Sequence, residues 1–239
     1  MLICIAGYVY GVSIRIFTVI LIKTINEGYL VPGIDTMGQN SALTVITTHI
    51  NADFDALASM LAAQKLYPDS LVVFPGSQEK NLRNFFIQSM VYLLNIANVK
   101  DIDFDEIKRL VLVDTRQPGR IGKFASILDR PGLEVHIYDH HPPTANDIQG
   151  TRVIQEQLGA TVTILSEIID KKKINLSPDE ATIMCLGIYE DTGSFTFPST
   201  TERDFRAAAF LLARRSSSPV VSHFGVPAYP PYALYELHG

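Results

Sequence analysis

Cysteine and tryptophan are scarce in this chain, which has two Cys and no Trp among its 239 residues. Cys4 and Cys185 both lie in apolar runs, which argues against a disulfide framework and favours a reducing compartment, with the cytosol as first choice. An excess of positive charge is also lacking, since 20 Lys and Arg face 25 Asp and Glu for a net charge of −5. The chain therefore has no general attraction to polyanions, and a nucleotide would have to be held locally by cations or bound metal.

Long hydrophobic runs are absent except at the N-terminus, where residues 2–22 carry Arg15 as their only charge. That length would span a bilayer. A central Arg opposes insertion by roughly 2.5 to 3.5 kcal/mol, and the run lacks the basic start and cleavage site of a secretory signal. Membrane association through residues 2–22 therefore stays open beside three alternatives: a buried hairpin, an N-terminal extension, or translated sequence upstream of a start at Met37.

The rest of the composition, 47% hydrophobic and 19% charged, is typical of one main globular domain. From residue 43 onward, short β-branched runs alternate with longer helical stretches, which predicts an α/β fold with a mainly parallel, doubly wound, Rossmann-like sheet and helices on both faces. The predicted strands are residues 43–48, 71–74, 110–113, 134–138 and 151–154. The predicted helices are residues 55–67, 81–94, 161–172, 177–189 and 202–214.

These patterns divide the chain into three predicted segments. Residues 1–42 form an apolar extension and linker, residues 43–215 form the α/β domain, and residues 216–239 form an irregular tail rich in Pro and Ser, in which no period can be found.

Acidic and His residues recur where the predicted strands end, and the carboxyl ends of parallel strands form the ligand crevice of such a fold. Taken singly these residues have ordinary explanations, because Asp53 would serve as a helix N-cap and Asp114 as a turn residue. Asp191 ends an apolar helix, where the macrodipole disfavours a carboxylate and a bound cation would remove the conflict. The candidate residues are His49, Asp53, Asp55, Asp114, Asp139, His140, His141 and Asp191.

This mixture of carboxylate and imidazole suits Mn²⁺, Fe²⁺ or Mg²⁺ better than a structural zinc ion. If Asp53, Asp55, Asp114 and Asp191 converge, two divalent cations would neutralise them and bind a water between them. Asp114 is the candidate bridge between the two ions.

Four motifs appear in order: HxxxDxD at 49–55, VDT at 113–115, DHH at 139–141 and EDTG at 190–193. Together they resemble the DHH phosphoesterase family, which includes RecJ-like exonucleases and exopolyphosphatases. The segments THINADFDALAS and VDTRQPGRIGKF are most similar to the DHH domain fused to bacterial CCA-adding or poly(A) polymerase-like nucleotidyltransferases. The resemblance covers roughly residues 43–213.

The resemblance implies two divalent ions, Mn²⁺ first with Mg²⁺ as the alternative. One ion would be held by His49, Asp53 and Asp114. The other would be held by Asp55, Asp114, His140 and Asp191.

Catalysis is expected to centre on Asp114, His140 and His141. His141 and Arg116 would face the substrate phosphate, and Arg120, which also follows the second motif, is a further candidate for the same contact. Asp139 is expected to orient His140 rather than to bind metal.

The expected function is hydrolysis of a phosphodiester or phosphoanhydride, in a nucleotide, an oligonucleotide end or polyphosphate, by a metal-activated water. The alternatives are a nucleotide-sensing module of a tRNA nucleotidyltransferase-like protein, a membrane-anchored cyclic dinucleotide phosphodiesterase, and a doubly wound domain without chemistry. Family members carry a second, substrate-selecting domain, and nothing after Arg215 resembles it. A C-terminal DHHA1-like or nucleotidyltransferase domain is therefore an expected partner, and a homodimer is a further expectation.

Overall fold

The structure is a computed structural model that describes residues 42–79 and 93–214. The N-terminal run at 2–22, most of the predicted helix at 81–94 and the tail after residue 215 lie outside the described residues. Within the part of the chain that is described, no helix has both the length and the apolar character needed to cross a membrane.

Five strands form one sheet in the order β2-β1-β3-β4-β5, and every pair of neighbours is parallel. The strands are β1 (Leu43–Thr47), β2 (Leu71–Val72), β3 (Ile107–Val113), β4 (Glu134–Asp139) and β5 (Arg152–Gln155). Strand β2 lies on one side of β1, and β3 lies on the other. The chain therefore runs in one direction across the sheet from β1 to β2 and in the opposite direction from β2 to β3, so the order of the strands reverses between β1 and β3. Such a switch point opens a crevice at the carboxyl ends of the two strands.

Four α-helices and three short 3₁₀ helices accompany this sheet in the described residues. The α-helices are α1 (Phe54–Leu66), α2 (Thr161–Lys171), α3 (Pro178–Asp191) and α4 (Glu202–Leu212). The 3₁₀ helices are Phe104–Glu106, Pro118–Arg120 and Gly122–Ile127. The bounds of these strands and α-helices agree with the prediction to within three residues, and β2 is two residues long where four were predicted.

Side chains alternate along the strands between two buried clusters, one on each face of the sheet. On β3, Val111 and Val113 pack with the α-helices, whereas Leu110 and Leu112 pack with the 3₁₀ segment around Phe124. Both faces are therefore covered, which explains why β3 has a continuous apolar run. The predicted α/β fold with a parallel sheet and helices on both faces is confirmed.

Helices α1 and α3 cross closely at Gly187. A Cβ atom on Gly187 would lie 2.6 Å from Cβ of Ala58 and 3.2 Å from the carbonyl oxygen of Phe54. Glycine is therefore required by the approach of the two backbones. The contact brings the start of α1, which carries Asp55, beside the end of α3, which carries Asp191.

Candidate metal centre

His49 and His140 are held by backbone carbonyls in the same way. Nδ1 of His49 lies 3.0 Å from the carbonyl oxygen of Ile50, and Nδ1 of His140 lies 2.9 Å from that of Leu158. A carbonyl oxygen can only accept, so Nδ1 must donate in both cases. Nε2 of each ring is left for the centre of the site, the arrangement typical of metal-binding histidines.

Asp114 lies at the middle of the site, directly after β3, and is only 2% exposed. Its Oδ2 is 3.2 Å from Nε2 of His49, and its Oδ1 is 3.6 Å from Nε2 of His140. The backbone of Asp114 has a φ of 60°, a left-handed conformation that Asp tolerates better than most residues but that still costs energy. The turn directs the carboxylate into the crevice while the Asp114 amide still donates to Tyr138 at 2.9 Å.

The candidate ligands gather into groups that share members. Potential ligand atoms of His49, Asp53 and Asp114 lie within 4.8 Å of one another, and so do those of Asp55, His140 and Asp191. A third such group joins Asp114 with His140 and His141. Asp114 therefore belongs to the group around His49 and also reaches the group around His140.

The two carboxylates of the first motif have structural roles as well. Asp53 is the N-cap of α1 and accepts from the amide of Ala56 at 3.0 Å, so its interpretation as a cap is confirmed. Asp55 accepts from the amides of Thr161 at 2.7 Å and Val162 at 2.9 Å. It therefore caps α2, whose own N-cap residue Ala160 provides no side-chain bond.

Asp191 has the one buried side-chain oxygen without a hydrogen bond among the described residues, its Oδ2. This atom lies 3.2 Å from Nε2 of His140, a close approach without the geometry of a hydrogen bond. Burial, with the charges of Asp114 and Asp53, raises the pKa of Asp191 to about 7 against the opposing effect of His140. An unsatisfied carboxylate oxygen facing an imidazole lone pair is a suitable place for a divalent cation.

Burial and neighbouring charges also shift the pKa values of the other carboxyl groups of the site. Burial first, and then the charges of nearby carboxylates, raise the pKa of Asp53 and of Asp55. Burial alone would also raise the pKa of Asp114, but its contact with His49 and the nearby imidazoles lower it. The donor set is thus rich in negative charge that only protons or cations can offset, and it fits divalent metal.

Asp139 does not contact the imidazole that it was expected to orient. Its Oδ1 accepts from Nδ1 of His141 at 2.8 Å, and its Oδ2 accepts from Nε of Arg116 at 2.8 Å. The expectation that Asp139 orients His140 is wrong, because the carbonyl of Leu158 takes that place.

Arg116 is nearly buried, with 8% of its surface exposed. Besides Asp139 it donates to the carbonyl oxygen of His141 at 3.0 Å and lies 3.4 Å from Asp147. These contacts favour a role in holding Asp139 and His141 over the predicted contact with a substrate phosphate. Arg120 lines the same small cleft as Arg116 and His141.

The family described as "DHH family, N-terminal domain" matches residues 43–188, which is more than half of the chain. The chain belongs to the DHH family. It is 50% identical over 182 residues to the A-adding tRNA nucleotidyltransferase of Geobacter sulfurreducens, an alignment that covers 76% of this chain and 21% of that protein. The chain thus spans about a fifth of the length of this relative.

More distant relatives carry different names. The bifunctional oligoribonuclease and PAP phosphatase NrnA of Mycoplasma genitalium is 24% identical, over 74% of this chain and 55% of that protein. A "probable manganese-dependent inorganic pyrophosphatase" of Lactobacillus delbrueckii subsp. bulgaricus is 27% identical, over 70% of this chain and 53% of that protein. Among solved structures, an exopolyphosphatase-related protein from Bacteroides fragilis superposes with a TM-score of 0.61 at 20% identity, over 80% of this chain and 58% of that one. This last similarity supports the fold.

Two residues that contact the candidate ligands or their helices, Glu190 and Thr161, were not predicted from the sequence as site residues. Glu190 accepts from the amide of Phe54 at 3.1 Å, and withdrawal of its carboxyl from water raises its pKa to about 7 although much of the residue is exposed. Thr161 contacts Asp55 and Asp114. Glu190 stands beside Asp191 in the fourth motif, which was the available signal, whereas no local pattern marks Thr161.

Proposed function

We propose that this DHH domain is a metal-dependent phosphohydrolase that cleaves a phosphodiester or phosphoanhydride bond. The observation that carries the proposal is the position of Asp114, whose two carboxylate oxygens face His49 on one side and His140 on the other. A carboxylate placed between two sets of ligands is what a pair of divalent cations would need as a bridge.

One cation would be held by His49, Asp53 and Asp114. The other would be held by Asp55, Asp114, His140 and Asp191. The choice of Mn²⁺, with Mg²⁺ as the alternative, is supported by the mixed carboxylate and imidazole donors and by the manganese-dependent relative. When bound, such cations supply a water of lowered pKa and positive charge for the phosphate.

His141 is proposed to contact the substrate phosphate. Its side chain is 45% exposed, against 13% for His140 and 3% for His49. With Nδ1 bonded to Asp139, the Nε2 of His141 is the atom available to donate to a phosphate oxygen. Arg116 is assigned a positioning role, because it binds both Asp139 and the backbone of His141.

The proposed substrates are a nucleotide, an oligonucleotide end or polyphosphate. Relatives named as an oligoribonuclease and PAP phosphatase and as a pyrophosphatase support this range. Because the chain spans 21% of its 50% identical relative, we further propose that another domain of the whole protein selects the substrate by closing over the crevice.

A second candidate function is a nucleotide-sensing module that binds metal and ligand without turnover. The observation that favours it is the 50% identity to an A-adding tRNA nucleotidyltransferase. The name of that relative describes a transferase rather than a hydrolase.

Hydrolysis by the whole 239-residue chain tests the proposal. Bis-p-nitrophenyl phosphate, a short oligoribonucleotide and pyrophosphate would each be supplied with Mn²⁺ or with EDTA. Asp114→Asn keeps the shape of the side chain and removes its charge. Asp129→Asn makes the same change at an exposed position away from the site.

We expect Mn²⁺-dependent hydrolysis of at least one substrate, lost in Asp114→Asn and kept in Asp129→Asn. Binding of Mn²⁺ and nucleotide without turnover would instead support the sensing module. Activity that persists in EDTA or in Asp114→Asn would overturn the proposed site.

A further inference from the structure

Thr161 opens helix α2 and is fully buried. Its hydroxyl donates to Oδ1 of Asp114 at 2.9 Å and accepts from the backbone amide of His140 at 3.3 Å. Its own amide donates to Oδ2 of Asp55 at 2.7 Å. One residue thus touches three of the proposed metal ligands, which come from three different elements of the fold.

The bond from the Thr161 hydroxyl to Oδ1 restricts rotation of the Asp114 carboxylate. In the orientation that this bond favours, Oδ2 of Asp114 faces His49 and Oδ1 faces His140, as a bridging ligand needs.

Thr161 is itself held by the segment that precedes it. A Cβ atom on Gly159 would lie 2.6 Å from Cγ2 of Thr192 and 2.8 Å from Oδ2 of Asp204. Asp204 is completely buried and accepts from the Gly159 amide at 2.9 Å and from the Thr163 hydroxyl at 2.7 Å. Asp204 therefore holds the residues on both sides of Thr161 by hydrogen bonds, which restricts the movement of the Thr161 hydroxyl.

We propose that Thr161 is a positioning residue of the metal centre, whose hydroxyl orients the Asp114 carboxylate for simultaneous contact with both metal positions. This inference rests on the proposed function, because it assigns Thr161 a role toward the ions that the site would hold. Loss of an equivalent partner of a metal ligand commonly weakens metal affinity about 10- to 100-fold.

A matched pair of substitutions isolates the hydroxyl. Thr161→Val keeps the branched shape and removes the hydroxyl, whereas Thr161→Ser keeps the hydroxyl and removes a methyl group. Thr182→Val is the control, because Thr182 is also a buried helical threonine, 1% exposed, whose hydroxyl donates to the carbonyl of Pro178 at 2.8 Å and to none of the ligands.

The experiment measures the Mn²⁺ dissociation constant by calorimetry and the melting temperature in EDTA for the whole chain and its variants. We expect Thr161→Val to weaken Mn²⁺ binding about 10- to 100-fold, Thr161→Ser to stay close to wild type, and Thr182→Val to lower the melting temperature without weakening Mn²⁺ binding. If Thr161→Val does not fold in EDTA, Thr161→Ala replaces it in the comparison with Thr161→Ser.

Wild-type affinity in Thr161→Val, or equal weakening in Thr161→Ser, would overturn the role of the hydroxyl. Equal weakening in Thr182→Val would do the same, because any loss of a buried hydroxyl would then be sufficient. Failure of the wild-type chain to bind Mn²⁺ would instead contradict the proposed function itself.

Discussion

His141 differs from the other two imidazoles of the centre because it combines exposure with a charged partner. Its hydrogen bond to Asp139 raises the pKa of His141, while its partial burial opposes the rise and the charge of Asp114 supports it. A larger share of His141 is therefore protonated at neutral pH than an isolated histidine would be. A protonated Nε2 at the mouth of the site is suited to bind a phosphate oxygen or to protonate a leaving group.

Asp139→Asn should move the pH dependence of hydrolysis toward acid. Removal of the carboxylate lowers the pKa of His141, so the proton on Nε2 is lost at a lower pH. If that proton is needed, the alkaline fall in kcat/KM begins at a lower pH than in the wild type. The measurement is the pH profile of Mn²⁺-dependent hydrolysis between pH 5 and 9.

Asp147→Asn is the matched control, because Asp147 also lies beside Arg116, at 3.4 Å, and within the described residues it makes no hydrogen bond or ion pair with His141. Its profile should keep the wild-type alkaline limb. An unshifted limb in Asp139→Asn would contradict the role given to His141, and a shift of the same size in Asp147→Asn would trace the effect to Arg116.

The sequence predicted most of the residues of the centre but not the partner of Asp139. Strand β4 ends at Asp139, so His140 and His141 lie in the turn that follows it, where no regular alternation decides which imidazole meets Asp139. The prediction chose the adjacent His140, whereas the turn brings His141 to Asp139. Thr161 was missed for another reason: it meets Asp114 only through the fold, 47 residues away along the chain.

At the scale of elements, the crossing of α1 and α3 fixes the distance between Asp55 and Asp191. The Cβ that glycine lacks at position 187 would lie 2.6 Å from Cβ of Ala58. Glycine in a helix interior is normally less stable than alanine by about 1 kcal/mol. The presence of glycine at position 187 therefore indicates that the close packing of α1 against α3 stabilises the fold by more than this loss.

Gly187→Ala should destabilise the fold and also weaken the metal centre. Forcing the helices apart costs about 1 to 3 kcal/mol, as overpacking in cores does, and it separates Asp55 from Asp191. We expect a lower melting temperature in EDTA together with weaker Mn²⁺ binding, measured on the same samples.

Ser177→Ala provides the comparison of stability without displacement. Ser177 caps the opposite end of α3 in a capping box with Glu180, and loss of such a cap costs about 1 kcal/mol. It should lower the melting temperature and leave Mn²⁺ affinity unchanged. A destabilised Gly187→Ala variant that keeps wild-type Mn²⁺ affinity would contradict the role of the helix crossing in the metal centre.

The elements themselves were largely predictable, because their signals are local. Ser177 before Pro178 marks the start of α3, and the apolar run of β3 marks a strand covered on both faces. The capping of α2 by Asp55 was not predictable, since Ala160 offers no cap and the acceptor comes from another helix. The predicted helix at 81–94 stays a prediction, because residues 80–92 lie outside the described part of the chain.

At the scale of the whole molecule, the proposed ligands come from separate parts of the fold. His49 and Asp114 follow β1 and β3 at the switch point of the sheet, Asp55 lies on α1, and Asp191 ends α3. Cations bound there would link these elements. They would bind the folded chain but not the unfolded one, because the ligands come together only on folding. Each would stabilise the fold by about 2.7 kcal/mol when free metal is a hundred times its dissociation constant.

The number of Mn²⁺ ions bound per chain is the measurement that bears on the proposed sharing of Asp114 by two cations. Titration calorimetry at pH 8 would be run on the wild type, Asp114→Asn and Asp129→Asn. Two Mn²⁺ per wild-type chain, with both sites weakened at least about 10-fold in Asp114→Asn and neither in Asp129→Asn, is the predicted result. One Mn²⁺ per wild-type chain, or an Asp114→Asn variant that keeps one site at full affinity, would contradict the shared carboxylate.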